Sequence, residues 1–301
     1  TDAAKAAADI ILTREGLSTI CHGVEVSRKV FQRVKNFLNY RIAATLQLLV
    51  FFFIALFALQ PRSFLPPPPF AQFIVPDYDE WPRFFKMPVL YLMIITLLND
   101  GTLISIGYDY VRPSKYPEVW NLKVLFASAI QLGSIACVSS LILLWLMLDS
   151  WNPDSLFQKW GIGGVTYGQI ICGMYLKISV SDFLTLISCR TQEKFFFTSM
   201  PHPVLLLGAV IAITASLMIS IFWACGELDD VPVCGLSYRE PNLLTLWILI
   251  YIFVVFLIQD TLKVLFFMFM RAVNLFGING TNHFDDHKTD KPKKTEKEDV
   301  V

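Results

Sequence analysis

Six uninterrupted apolar stretches, at 42–59, 89–106, 124–148, 165–187, 204–223 and 243–270, constrain this chain more than any other feature. A bilayer core needs about 20 apolar residues in helix to cross it, and each stretch approaches or exceeds that length. Lipid supplies no hydrogen bonds, so every backbone N–H and C=O must be satisfied within the protein. No strand-length alternation of polar and apolar residues appears, which leaves helices. The expected fold is an all-α integral membrane protein, a bundle of six transmembrane helices. The last stretch is too long to be all membrane, and its end is expected to project beyond the bilayer.

Composition supports this reading. Hydrophobic residues make up 54% of the 301 and charged residues 17%, where a soluble domain carries about 25% charge. A soluble enzyme and a disordered chain are both excluded. The 25 basic and 25 acidic residues cancel, so no basic surface for nucleic acid is expected. Residues 1–40 are polar and helix-like and do not read as a secretory signal. The chain opens mid-pattern at Thr1 without an initiator Met, and a fragment of a longer product is expected.

Cations orient the spans. Arg28, Lys29, Arg33, Lys35 and Arg41 precede the first; Arg112, Lys115 and Lys123 lie between the second and third. Arg190 and Lys194 lie between the fourth and fifth, and Arg271 and a lysine-rich tail follow the sixth. These ends are expected in the cytosol, with both termini. The opposite loops are poorer in cations, and the loop 227–240 is acidic. There Cys225 and Cys234 stand on the outer face, where disulfides persist; they can bridge or stay free. Cys21, Cys137, Cys172 and Cys189 read as small buried hydrophobes. The other outer loop contains Pro66, Pro67, Pro68 and Pro69, a stiff polyproline run suited to a ligand groove or, more simply, a lid on the bilayer surface. Residues 27–41 lack Pro and Gly, and Val30, Phe31, Val34, Phe37 and Leu38 recur at helical spacing. A stalk helix running unbroken into the membrane is expected, with a surface-lying amphipathic helix as the alternative. The tail 271–301 is expected to be cytoplasmic and largely disordered.

Ionisable groups inside a bilayer are costly and call for a function. Asp100 lies within the second span, in Leu98-Asn99-Asp100-Gly101-Thr102, where Gly101 weakens the helix and is expected to free carbonyls beside the carboxylate. Desolvation favours a neutral carboxyl and a nearby cation favours the charged one. A carboxylate switched between those settings loads and releases a proton or cation; the plain alternative is a structural carboxylate capped by Asn99 or Thr102. Arg41 stands at the mouth of the first span, able to snorkel or to pair with Asp100. Gln47 is about 9 Å deeper and roughly 120° around the same helix, so it has a separate role. Lys177 and Asp182 share the fourth span, about 140° apart, and are not expected to pair. Ser179, Ser181 and Thr185 turn that helix toward the bundle interior. Transport and structure both stay open for Asp182. Asp260 and Lys263, at i, i+3, form an expected structural ion pair.

These residues resemble one family. Residues 1–13, from Thr1-Asp2-Ala3-Ala4 to Ile11-Leu12-Thr13, are similar to the end of the phosphorylation domain of P-type ATPases. Gly16-Leu17-Ser18-Thr19-Ile20 and Ser27-Arg28-Lys29-Val30-Phe31-Gln32-Arg33 resemble the stalk entry of the plasma-membrane proton-pumping branch (type III A). Leu98-Asn99-Asp100-Gly101-Thr102 and Arg112-Pro113-Ser114 are similar to the sixth helix and following loop of plant-type pumps; Tyr40-Arg41-Ile42-Ala43 resembles fungal-type ones. The resemblance covers Thr1 to about Met270. It implies helices five to ten of a pump, divided into 1–26, the end of the phosphorylation domain; 27–41, the stalk; 42–270, the transmembrane domain; and 271–301, the tail. It implies that Asp100 is the proton carrier and Arg41 its partner. Gln47 stands where plant-type pumps carry an arginine, so Arg41 is the better cation to discourage backflow.

The phosphorylated aspartate motif, nucleotide domain and first four helices have no counterpart here, so no catalytic residue, cofactor or metal is expected in this fragment. ATP and Mg2+ are implied for the intact protein, and protons, the bilayer and the missing domains as partners. A plasma-membrane location follows from the same resemblance. Two alternatives stand: a P-type pump for another cation, which for a multivalent ion needs more oxygen ligands than the spans provide, and a stand-alone secondary transporter or channel.

Overall fold

The computed structural model of the chain describes residues 2–9, 11, 18–66, 75, 78–111, 120–237 and 243–282. The proline run past Pro66, the loop with Arg112 and Lys115, and the tail past Asn282 lie outside the described residues. So do parts of the segment 1–17 that resembles a phosphorylation domain. Six long helices carry the fold: α1 Ser18–Ala58, α2 Val89–Ile104, α3 Leu122–Leu148, α4 Tyr167–Arg190, α5 Pro203–Phe222 and α6 Leu244–Ala272. A 3-10 turn at Ser105–Tyr108 extends α2 to a span of 20 residues, and all six spans are long and apolar enough to cross a bilayer.

Local chemistry explains several boundaries. Thr166 and Gln169 make a capping box at the start of α4, satisfying orphan amide groups from both sides. Pro203 occupies the first turn of α5, where its missing N–H costs nothing, and His202 Nδ1 accepts from Val204 N at 3.2 Å. The helix α1 runs 41 residues without a break, so the stalk and the first span are one element.

Helix α4 stands at the centre. Nearly all of it is buried, with Leu184, Ile187 and Arg190 only partly so. Its neighbours bury one stripe and present large apolar side chains outward: Leu49, Phe53 and Phe57 on α1, Leu97 and Ile104 on α2, Leu207 and Ile211 on α5, Phe253 and Leu257 on α6. The polarity is inverted relative to a soluble bundle, because lipid accepts apolar surface without penalty and polar groups must turn inward.

The interior divides into two apolar cores. One contains Phe51, Ala55, Tyr91, Ile95, Leu144, Tyr175 and Ile178; the other contains Tyr40, Ala43, Ala44, Leu103, Ala129, Leu132 and Leu186. On each helix that contributes to both, small or polar residues lie between them: Gln47 on α1, Asn99 and Thr102 on α2, Gly133 and Ala136 on α3, and Ser181, Asp182 and Thr185 beside the buried Phe183 on α4. A polar layer thus crosses the bundle part-way along its length.

Two features differ from the sequence reading. Residues 226–233 form a small antiparallel hairpin, Gly226–Leu228 paired with Val231–Val233, where only helices were expected. Asp229 and Asp230 both have positive φ, 53° and 58°, the backbone a two-residue hairpin turn requires; outside the lipid such a pair needs no closure. Gly101 also fails to break α2, which stays helical through Ile104. One glycine costs a helix only about 1 kcal/mol, less than an unsatisfied backbone group in lipid.

At Gly133, α1 and α3 approach so closely that an added Cβ would meet Ala43 O at 2.8 Å and Leu46 Cβ at 3.3 Å. Gly133→Val is therefore expected to lower stability by about 1–3 kcal/mol through forced separation of the two helices. Reversible unfolding in mixed detergent micelles checks this, and an unchanged midpoint refutes it.

Candidate translocation site

Asn99 and Asp100 are neighbours in α2, and helical geometry sends consecutive side chains about 100° apart. They face different surroundings. Asp100 meets Arg41 of α1 in an ion pair. The two side chains remain 53% and 44% exposed, so the pair lies on the outer wall formed by α1 and α2 and not within the described bundle. Asn99 turns inward and is buried, donating from Nδ2 to Asp182 Oδ2 of α4 at 2.8 Å. A single turn of α2 therefore links a carboxylate on the wall to a carboxylate in the interior.

The inner carboxylate is incompletely satisfied. Asp182 Oδ1, Asn99 Oδ1 and Gln47 Nε2 are buried and have no hydrogen-bond partner among the described residues. Such atoms in low-dielectric surroundings are costly, and a shared proton or an ordered water is the chemistry that relieves them. Gln47 faces the interior while Arg41 faces the wall, in keeping with the separate roles their spacing assigns. Thr102 Oγ1 donates to Leu98 O at 3.0 Å and does not cap Asp100.

Lys177 and Asp182 make no direct bond. The lysine reaches Ala136, Ser139 and Ser140 of α3 instead. Asp260 and Lys263 pair at 2.7 Å, both buried. Ser188 Oγ donates to Asp260 Oδ1 at 2.7 Å, Phe196 N donates to Asp260 Oδ2 at 3.0 Å, and Lys263 donates to Ser188 O and Thr191 Oγ1. The pair thereby clamps α6 to the end of α4 and the loop after it. A disulfide joins Cys225 to Cys234 at the base of the hairpin.

One cluster escaped the sequence reading. Asp109, just past α2, pairs with Arg190 at the end of α4, with side chains only 2% and 5% exposed. Arg33 of the stalk grips Asp109 O with two hydrogen bonds, at 3.1 and 2.9 Å. His202 N donates to Asp109 Oδ1, and Arg190 donates to the carbonyls of Ser199 and Met200. Asn36 of the stalk adds a contact to Arg190 O at 3.4 Å. Stalk, α2, α4 and the entry to α5 meet at this knot. Asp109 and Arg190 are 81 residues apart, and no spacing in the sequence announces such a pair.

The fold is thus a six-helix bundle of membrane-spanning type with one carboxylate on its wall and another in its interior, joined through consecutive residues of α2. No protein-family model matches the chain. Two curated relatives from Leishmania donovani, named probable proton ATPase 1A and probable proton ATPase 1B, are each 47% identical to it over 92% of its length. The chain spans 28% of the length of each relative. Over that matched part, which includes six helices long and apolar enough to cross a membrane, the chain is similar to both relatives.

Removing one member of a buried ion pair leaves the other uncompensated, which costs about 3–5 kcal/mol, whereas replacing both with apolar residues is often close to neutral. Asp260→Leu is expected to show the former loss and Asp260→Leu with Lys263→Leu a clearly smaller one. Denaturation midpoints of the single and double variants test this; equal losses would refute the clamp.

Proposed function

We propose that this chain is the C-terminal transport half of a P-type proton-exporting ATPase. ATP hydrolysis occurs, in this reading, in phosphorylation and nucleotide domains outside the chain, where ATP and Mg2+ bind. The observation that carries the reading is the Asn99–Asp100 step in α2, which sets one carboxylate against Arg41 and ties the helix to a second carboxylate, Asp182. The relatives named as proton ATPases favour protons as the cargo.

The mechanism follows from these contacts. Asp100, away from Arg41, accepts a proton from the cytosolic side as a carboxylate and becomes neutral. Phosphorylation displaces the stalk, and the unbroken α1 carries that motion into the membrane. The grip of Arg33 on Asp109 transmits the same motion to the end of α2. Arg41 then meets Asp100, stabilises the carboxylate and favours release to the far side, while its positive charge discourages return. Moving one charge against 100 mV costs about 2.3 kcal/mol, hence the coupling to ATP. Asn99, Asp182 and Gln47 form the inner end of the path, where their open hydrogen-bonding atoms accommodate a proton or water. The cation distribution favours cytosolic ends for the stalk and tail, and the plasma membrane is the proposed location.

Asp100→Asn in the intact pump, reconstituted in vesicles, is expected to abolish ATP-driven acidification while leaving the protein folded. Full coupled transport by that variant would refute the mechanism. Proton flux through the wild-type protein without ATP would instead favour a secondary transporter or channel.

A further inference from the structure

We propose that the ammonium group of Lys177 is a built-in monovalent cation, seated in a three-oxygen cradle on α3, that closes the membrane interior to potassium-sized ions. Lys177 is fully buried in α4. Its Nζ lies 3.0 Å from Ala136 O, 2.8 Å from Ser139 Oγ and 2.5 Å from Ser140 Oγ. Ser139 and Ser140 each give their own hydroxyl proton to Ala136 O at 2.8 Å, so both turn oxygen lone pairs toward the lysine. All three contacts are then donated by nitrogen. A protonated amine, with three N–H groups, can donate to all three oxygens at once. Tyr251 of α6 donates to Ser139 O at 2.7 Å and ties the cradle to that helix.

This charge sits five residues from Asp182, about 7.5 Å along the same helix. The buried carboxylate thus has a counter-charge tethered to its own helix in place of a mobile ion. Backbone carbonyls and similar oxygens are the ligands that replace the water around potassium in ion-conducting proteins. Loss of the lysine side chain would leave those ligands and the charge of Asp182 without a cation between them. The proposal rests on the proton-pump reading for its purpose, cation selectivity, and not for its test.

The test uses the intact pump polypeptide in lipid nanodiscs, with 86Rb+ as the probe and choline chloride as the control salt. Lys177→Ala is expected to retain about one 86Rb+ per chain and to melt about 2–4 °C higher in potassium chloride than in choline chloride. The wild type and Lys177→Arg are expected to do neither. Lys177→Thr, with a smaller void and one added oxygen, is the second variant if alanine prevents folding. A folded Lys177→Ala or Lys177→Thr that holds no 86Rb+ and melts alike in both salts overturns the proposal. Failure of both variants to fold in either salt overturns it too, since a bound ion then does not replace the ammonium. Binding of 86Rb+ by the wild type at this site has the same consequence. Neither readout requires proton movement, so transport retained by Asp100→Asn would sink the pump reading without touching this result.

Discussion

Every polar group on these helices has to find its partner inside the protein, because the surrounding lipid offers none. The arrangement of α4 follows from that constraint. Its lysine, aspartate, serines and threonine would be costly on an outer wall, so the helix is surrounded by the others and offers a polar group to each of several neighbours. Lys177 turns to α3, Asp182 to α2, Ser179 to Ser216 of α5 and Ser188 to Asp260 of α6. The bundle is thereby assembled around specific polar bonds as much as around apolar packing, and each bond fixes the rotation of one neighbour relative to the central helix.

The stalk is coupled to this interior by two different kinds of contact. Close packing at Gly133 and Ala43 joins α1 to α3 through backbone approach. At the cytosolic end proposed here, Arg33 and Asn36 join α1 to the buried Asp109–Arg190 pair through directed hydrogen bonds. Packing resists separation but tolerates sliding, whereas bonds to a buried ion pair resist both. Motion of the stalk is accordingly delivered to the ends of α2 and α4 with little slack.

Much of the architecture was legible in the sequence, since the length of an apolar run is a one-dimensional signal and lipid makes it decisive. The buried ion pair at short helical spacing was equally readable; Asp260 and Lys263 sit where i, i+3 geometry puts them. Contacts between remote segments were not. Arg190 counted toward orientation as one of several cations, yet in the fold it is consumed by Asp109, and nothing local to either residue distinguishes it from an exposed arginine. Ser139 and Ser140 read as ordinary small residues until Lys177 is seen lying on them. The sequence left Cys225 and Cys234 open to bridge or stay free, and only the hairpin geometry brings them together. The half-open setting of Asp100 was hidden for a different reason: a position inside the span says how deep a residue lies, not which way it faces.

The unbroken α1 has a mechanical consequence. Its 41 residues amount to a rod about 60 Å long, and the tight contact of Ala43 with Gly133 is where that rod is pinned. About 37 Å lies on the stalk side of the pin and about 22 Å on the other. A rigid tilt about this fulcrum delivers roughly 0.6 of any stalk displacement to the far end, in the opposite direction. Arg41, only two residues from the pin, scarcely moves in such a tilt. In the proposed cycle the cation that pairs with Asp100 is therefore mounted near the pivot of the lever, and opening or closing the pair falls to movement of α2.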